Sequence, residues 1–352
     1  MGKQHQIGVI GYGYWGPNLV RNFSQSTRSC VKAVADLSPD RIAQLKQHHP
    51  SVSATQDYRD LLADPQIDLI AVATPVGSHH RLAAEALDAG KHVLVEKPLT
   101  ASVAEAEDLL ARARLKRRML AVDHTFLFTG AVRTIKTLVD SGQIGEVLYF
   151  DSVRVNLGLF QHDVNVIWDL APHDLSIMFH LLGKSPAAVS ATGSCHWGTP
   201  GGHECVAYLT VHFEDQTIAH FHVNWLAPVK VRRTLIGGRN QMIVYDDMEP
   251  SEKVKVYDKG IDTTAQTAEG RYETLIQNRT GDMHAPHLNN REALAVECDY
   301  LFDAIENSQF DELINGGMMG LNVVRILEAA GQSIKKRGSC VDCAPLALPQ
   351  AA

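Results

Sequence analysis

Two short segments of the chain carry residue types that could move a proton. In the first, Val93-Leu94-Val95-Glu96-Lys97-Pro98-Leu99, a glutamate and a lysine end an apolar, β-branched run just before a proline. A strand that finishes in charge finishes at a surface or a cleft. Most lysines are solvated surface groups, but one fixed by a following proline is a candidate for chemistry. The Lys97–Pro98 bond is a candidate for the cis form, which proteins use in tight functional turns. In the second segment, Trp168-Asp169-Leu170-Ala171-Pro172-His173-Asp174, Asp169 and His173 are four residues apart and share one helix face if the helix starts near Asp169. Pro172 then falls in the first turn, where proline is tolerated. A carboxylate that orients an imidazole prepares a general base or acid. The blander alternative makes Asp169 an N-cap and His173 a core histidine.

The elements that must position these groups are readable around them. Ile7 to Ile10, Val31 to Ala35, Asp68 to Ala73, His92 to Val95 and Met119 to Val122 read as strands. Pro17 to Gln25, Pro39 to His48, Leu82 to Ala89 and Val103 to Lys116 read as helices between them. Such alternation predicts a parallel sheet with right-handed crossovers. Beyond residue 125 the character changes. Helices are predicted at Ala131 to Ser141 and Asp169 to Leu182, with a strand at Val147 to Val155. Several β-rich runs follow between Ala187 and Tyr257, with hairpin turns at Glu214-Asp215-Gln216-Thr217 and Gly237-Gly238-Arg239-Asn240. Helices at Asn290 to Asn307 and Met318 to Lys335 close the pattern. The expected architecture is an α/β Rossmann-type domain, residues 1–125, followed by an α+β domain, residues 126–345, with a large, mostly antiparallel open sheet. Their junction is where a site is expected.

Gly11-Tyr12-Gly13-Tyr14-Trp15-Gly16 fits G-x-G-x-x-G, follows an apolar strand and opens a helix. In that context the glycines permit a tight turn and let backbone amides approach a pyrophosphate at a helix N-terminus. Asp36 ends the second strand about 20 residues after Gly16, the spacing of an acceptor for ribose hydroxyls. It would repel a 2′-phosphate, and Leu37-Ser38 adds no basic residue, so NAD is expected over NADP. Thr74 and Pro75 end the third strand on the cofactor side. His79 either joins them or begins the next helix.

Composition excludes several classes. At 352 residues the chain can bury a large core, and 33 basic against 40 acidic residues leave no electrostatic footprint for nucleic acid. No apolar run reaches the ~20 residues of a membrane span. A first strand starting at Gln6 leaves no room for a signal peptide, and a cytoplasmic protein is expected. The six cysteines are scattered apart from Cys340 and Cys343, and read as reduced thiols.

Taken in order, the glycine-rich start, Asp36, Ala71-Val72-Ala73-Thr74-Pro75, Gly90-Lys91-His92-Val93-Leu94-Val95-Glu96-Lys97-Pro98 and the Asp169–His173 helix resemble the glucose–fructose oxidoreductase, inositol dehydrogenase and rhizopine-catabolism (Gfo/Idh/MocA) family. The resemblance covers nearly the whole chain. It implies an NAD(P)-dependent oxidoreductase acting on a sugar, cyclitol or sugar derivative. Lys97 and His173 match the family's catalytic positions, and Asp169 its third polar group. Gly11, Gly13, Tyr14, Trp15, Gly16, Asp36, Thr74, Pro75, His79, Glu96 and Lys97 are then the cofactor side. The resemblance also implies a homodimer or homotetramer through the second-domain sheet. Either His173 or Lys97 can be the proton acceptor, since burial and a neighbouring nicotinamide cation both depress a lysine's pKa.

Tyr14 to Leu19 and Asp169 to Asp174 look like the branch that oxidises the 3-hydroxyl of a UDP-N-acetylhexosamine in cell-surface polysaccharide synthesis. A nucleoside diphosphate needs cations, and Lys230, Arg232 and Arg233 cluster in sequence. Arg154, Asn156, His162 and Asn165 are the expected substrate-side groups, together with Lys97, Asp169 and His173. The alternatives are a free sugar or cyclitol dehydrogenase, a non-catalytic NAD-binding sensor or scaffold, and an NAD-using lyase or glycosidase that oxidises its substrate only transiently. His212, His220 and His222 lack a carboxylate or cysteine to complete a zinc set, so no metal is expected.

Overall fold

The structure is a computed structural model that describes residues 4–158, 160–161, 163–196, 202–258, 260–263, 276–279 and 281–343. It divides into two compact units, Met1–Thr129 with Arg291–Glu328, and Gly130–Asn290 with Ala329–Ala352.

The first unit alternates strand and helix. It runs β1 (His5–Ile10), α1 (Gly16–Gln25), β2 (Ser29–Ala35), α2 (Pro39–His48), β3 (Ser53–Thr55) and α3 (Arg59–Ala63). It continues β4 (Leu69–Val72), α4 (His79–Asp88), β5 (His92–Glu96), α5 (Val103–Lys116) and β6 (Leu120–Asp123). The strands form one parallel sheet in the order β3-β2-β1-β4-β5-β6. The strand order reverses between β1 and β4, and in such sheets ligands bind outside the strand carboxyl ends at that point. β4 and β6 are buried at every residue, as a parallel sheet covered on both faces requires. β3 escaped the sequence pattern because it is three residues long and only partly buried.

The second unit opens with α6 (Gly130–Asp140), β7 (Val147–Leu157) and α7 (Val166–Leu182). Six strands follow: β8 (Pro186–Ser194), β9 (Val206–Phe213), β10 (Ile218–Asn224), β11 (Leu226–Gly238), β12 (Met242–Asp246) and β13 (Val254–Tyr257). β14 (Gly260–Thr263) and β15 (Ile276–Arg279) pair as a separate hairpin, and β16 (Met283–His284) returns to the main sheet. That sheet is antiparallel apart from the parallel pair β7–β10. Both predicted hairpin turns are present, between β9 and β10 and between β11 and β12. Side chains alternate across the strands. Phe150, Ser152 and Arg154 of β7 and Ala219, Phe221 and Val223 of β10 are buried on the face covered by α7. Tyr149, Tyr208 and Ile218 are exposed on the other. There Tyr208 stacks on His222 at 4.5 Å, and His220 meets the Thr210 hydroxyl at 3.1 Å.

The chain ends with α8 (Ala293–Asn307), α9 (Gly317–Lys335) and β17 (Val341–Asp342), which adds to β8. α8 and the first part of α9 belong to the first unit, which corrects the expectation of one continuous second domain from residue 126. Apolar burial is the reason. Leu294, Leu301 and Phe302 join Ile7, Val20 and Phe23 in one core cluster. A Cβ on Gly320 would stand 2.7 Å from Val122 and 2.8 Å from Leu99, so only glycine lets α9 approach so closely. No helix among the described residues is long and apolar enough to cross a membrane.

Candidate active site

In the first unit the glycine-rich turn joins β1 to α1. Gly11 has φ +99°, and a Cβ there would stand 2.3 Å from the Ala73 carbonyl oxygen. A Cβ on Gly16 would stand 2.3 Å from the Gly11 carbonyl oxygen. Both positions therefore need glycine on steric grounds. Gly13 differs: a Cβ there would meet nothing nearer than the Arg41 guanidinium, at 3.4 Å. Its missing side chain leaves space over the turn, which is what close approach of a pyrophosphate requires. The N-terminus of α1 has no side-chain cap and no acidic residue in its first turn, leaving its amides for an anion. The local chemistry fits a bound dinucleotide.

Asp36 lies just past β2. Its Oδ2 accepts the Tyr12 amide at 2.7 Å and its Oδ1 the Ser38 amide at 2.8 Å. Oδ1 keeps a second lone pair for a ribose hydroxyl. Arg41, in the first turns of α2, approaches Oδ2 at 3.5 Å. No cation stands in the two residues after Asp36, and α2 brings one in from further along the chain.

Several cofactor-side expectations change when their partners are seen. Tyr14 is exposed. Trp15 turns its indole inward to Asp123 at 2.6 Å. His79 begins α4 and is only 1% exposed. Its Nδ1 lies 2.9 Å from the Pro98 carbonyl and its Nε2 2.7 Å from the Thr74 carbonyl. Burial lowers its pKa, so a neutral ring donates to one carbonyl at a time. His79 therefore braces the Thr74–Pro75 turn against the Lys97–Pro98 corner, which corrects the expectation that it lines the cofactor. The Lys97–Pro98 bond is cis. Glu96 is half-buried; it accepts the Lys97 amide at 3.2 Å and directs its carboxyl toward Asp123.

In the second unit α7 carries the predicted pair. Asn165 caps the helix, accepting the amides of Ile167 at 3.1 Å and Trp168 at 3.2 Å. Its Nδ2 donates to Glu204 at 2.8 Å. Asn165 is thus a helix cap, a correction to its expected place beside the substrate. The cap starts α7 at Val166, so Pro172 lies inside the helix rather than in its first turn. Its missing N–H leaves the Trp168 carbonyl without a helical donor. Asp169 and His173 remain one turn apart on one face. The Asp169 Oδ2 accepts the indole N–H of Trp225 at 2.9 Å, a partner the linear sequence did not reveal.

Arg154 is the clearest correction. Its guanidinium makes a two-pronged pair with Asp174, both bonds 2.8 Å, and both side chains are 5% exposed. A buried guanidinium committed in this way holds α7 on the sheet and is not offered to a substrate. Asn156, two residues on, sits on the same α7-covered face of β7. Arg232 pairs with Asp247 at 3.2 Å, while Arg233 points to the opposite sheet face, so the basic run is not one cluster. His162 lies outside the described residues.

A family model described as "Oxidoreductase family, NAD-binding Rossmann fold" matches residues 5–124, and one described as "GFO/IDH/MocA C-terminal domain" matches residues 132–244. The chain is 29% identical over 342 residues to the uncharacterized oxidoreductase YdgJ of Escherichia coli, covering 90% of this chain and 96% of that protein. It is 31% identical over 188 residues to an inositol 2-dehydrogenase of Mycolicibacterium gilvum, covering 52% and 54% of the two chains. Its fold is similar to that of UDP-N-acetylglucosamine 3-dehydrogenase GnnA from Acidithiobacillus ferrooxidans. That match has a TM-score of 0.79 and 22% identity, and covers 95% and 99% of the two chains. With its parallel dinucleotide-type sheet, its glycine turn and its mostly antiparallel second sheet, the chain belongs to the Gfo/Idh/MocA oxidoreductase family, as an NAD(P)-dependent enzyme of sugar or cyclitol CH–OH groups.

Proposed function

We propose that the protein oxidises one ring secondary hydroxyl of a small sugar or cyclitol, with Lys97, Asp169 and His173 as its catalytic residues. The observation that carries this reading is the Asp169–His173 pair on α7, with Asp169 fixed by the Trp225 indole. Bound NAD supplies a hydride acceptor. His173 accepts the hydroxyl proton, and Asp169 stabilises the imidazolium that forms. Lys97, as ammonium, holds the alcohol oxygen and stabilises developing alkoxide charge.

The second reading is the UDP-N-acetylhexosamine 3-hydroxyl. It is favoured by exposed Lys230 on β11, a cation available to a diphosphate. It is weakened by the pairing of Arg154 with Asp174 and of Arg232 with Asp247. The test is NADH formation with free polyols and aldoses on one side and UDP-N-acetylhexosamines on the other. Turnover confined to the UDP-sugars replaces the first reading with the second. Binding of NAD without turnover of either class removes both.

A further inference from the structure

The first unit contains a cluster of carboxyls that the proposed chemistry does not use: Asp123 and Glu297 are buried, and Glu96 is half-buried with its Oε1 enclosed. Glu96 ends β5 and Asp123 ends β6, directly opposite each other in the parallel register, so their side chains share a face. Glu297 comes from α8, is 0% exposed, and is held by the Asn315 amide at 2.8 Å. That amide also donates to the Val122 carbonyl at 3.0 Å, fixing Glu297 to the end of β6. Asp123 is the hub. Its Oδ2 accepts the Trp15 indole at 2.6 Å, and its Oδ1 accepts the Thr125 hydroxyl. Both Glu96 and Glu297 are within hydrogen-bonding reach of it.

Carboxylates only accept hydrogen bonds, so ionised neighbours in contact repel and leave oxygens unsatisfied. The Glu96 Oε1 and the Glu297 Oε2 are both buried, and among the described residues no donor reaches either. Protonated, both acids gain a donor, and Asp123 has room for both. A carboxylate has about four lone-pair sites, and the Trp15 and Thr125 donors fill two. Burial pushes the pKa of each glutamic acid up, and the Asp123 charge pushes it further. The other titratable groups facing the cluster do not neutralise it. His124, held near a pKa of about 4 by burial, is uncharged at neutral pH. The Cys298 thiol on α8 is pushed up by burial and stays neutral. Lys97 opposes the trend at Glu96 as a lesser influence.

We propose that Glu96, Asp123 and Glu297 share buried protons and act together as positioning residues, holding the glycine-rich turn through Trp15 and the Lys97 backbone through Glu96. None of the three touches substrate or cofactor in this role. An ionised Asp123 that accepts four donors, two of them the protonated glutamic acids, ties the cofactor turn, the ends of β5 and β6, and the returning helix α8 into one frame.

Infrared spectroscopy of the whole protein reads the proton directly. A protonated-carboxyl C=O band is expected at neutral pH, reduced in both Glu96→Gln and Glu297→Gln. NAD affinity, measured by titration without substrate, reads the positioning. Asp123→Asn puts an amide donor against the Trp15 and Thr125 donors and should weaken NAD about tenfold. Glu297→Gln keeps a donor toward Asp123 and should weaken NAD less. Absence of the band in the wild type overturns the proposal, as does unchanged NAD affinity in a folded Asp123→Asn. If that variant does not fold, the bands of the two glutamine variants still decide whether the protons are there.

Discussion

Trp225 donates its indole N–H to Asp169 at 2.9 Å, from the residue between β10 and β11 to the first turn of α7. Trp225 is buried, so the bond is sheltered from water, and a hydrogen bond to a charged group is worth about 1.5–3 kcal/mol. Trp225→Phe keeps most of the ring and removes the donor. Steady-state assays should show kcat lowered about tenfold, with NAD affinity unchanged, because NAD binds the other unit. A variant with undiminished kcat would show that Asp169 needs no such support.

Lys97→Met and His173→Ala should each lower turnover by about 10²–10⁴, the usual contribution of a general acid or base. NAD affinity, read by titration, should stay near the wild-type value in both. Full activity in either variant would falsify the assignment of that residue.

The Arg154–Asp174 pair gives a prediction about stability alone. Asp174→Ala leaves a buried guanidinium without its counter-charge, and breaking such a pair costs about 3–5 kcal/mol. Urea denaturation should show a midpoint lowered accordingly. A shift of a few tenths of a kcal/mol would mean that the site relaxes and admits water.

The buried acids set a pH dependence. Burial raises the folded-state pKa of Glu96 and Glu297 above the usual 4.5, so the native state binds more protons than the unfolded chain. Their stabilising contribution is fully present below about 4.5 and declines as pH rises through the raised values. Glu297→Gln cannot titrate there. Melting temperatures taken from pH 5 to pH 9 should therefore fall less steeply with pH in that variant. Parallel curves would count against a protonated Glu297.

Arg41 tempers the preference that Asp36 sets against a 2′-phosphate. Its guanidinium lies 3.5 Å from Asp36, where it offsets part of the carboxylate charge. Arg41→Ala should widen the preference for NAD over NADP about tenfold in kcat/KM. An unchanged ratio would leave Asp36 as the sole determinant.

Much of this was legible in the sequence, for reasons that can be named. β1, β4, β5 and β6 are short apolar runs with helices and glycine or proline punctuation between them. The 3.6-residue repeat put Asp169 and His173 on one face even though the helix starts earlier than expected. What escaped was non-local. Nothing near Asp36 in the chain announced Arg41, and nothing near Asp169 announced Trp225. Arg154 carried the residue type of an anion ligand, and only its partner Asp174 shows otherwise. His79 and Glu96 lie in cofactor-side segments, but their ring and carboxyl turn inward.

The return of residues 291–328 to the first unit bears on how the chain comes off the ribosome. Residues 1–129 emerge first, and in most multidomain proteins the N-terminal domain folds before the rest. Here that order is interrupted. Phe23 and Ile7 wait for Phe302, and Asp123 waits for Glu297, until the whole intervening sheet has been synthesised. The dinucleotide-type domain begins first and is completed after the bulk of its neighbour, so a nascent chain stopped before α8 exposes the apolar surface that α8 covers.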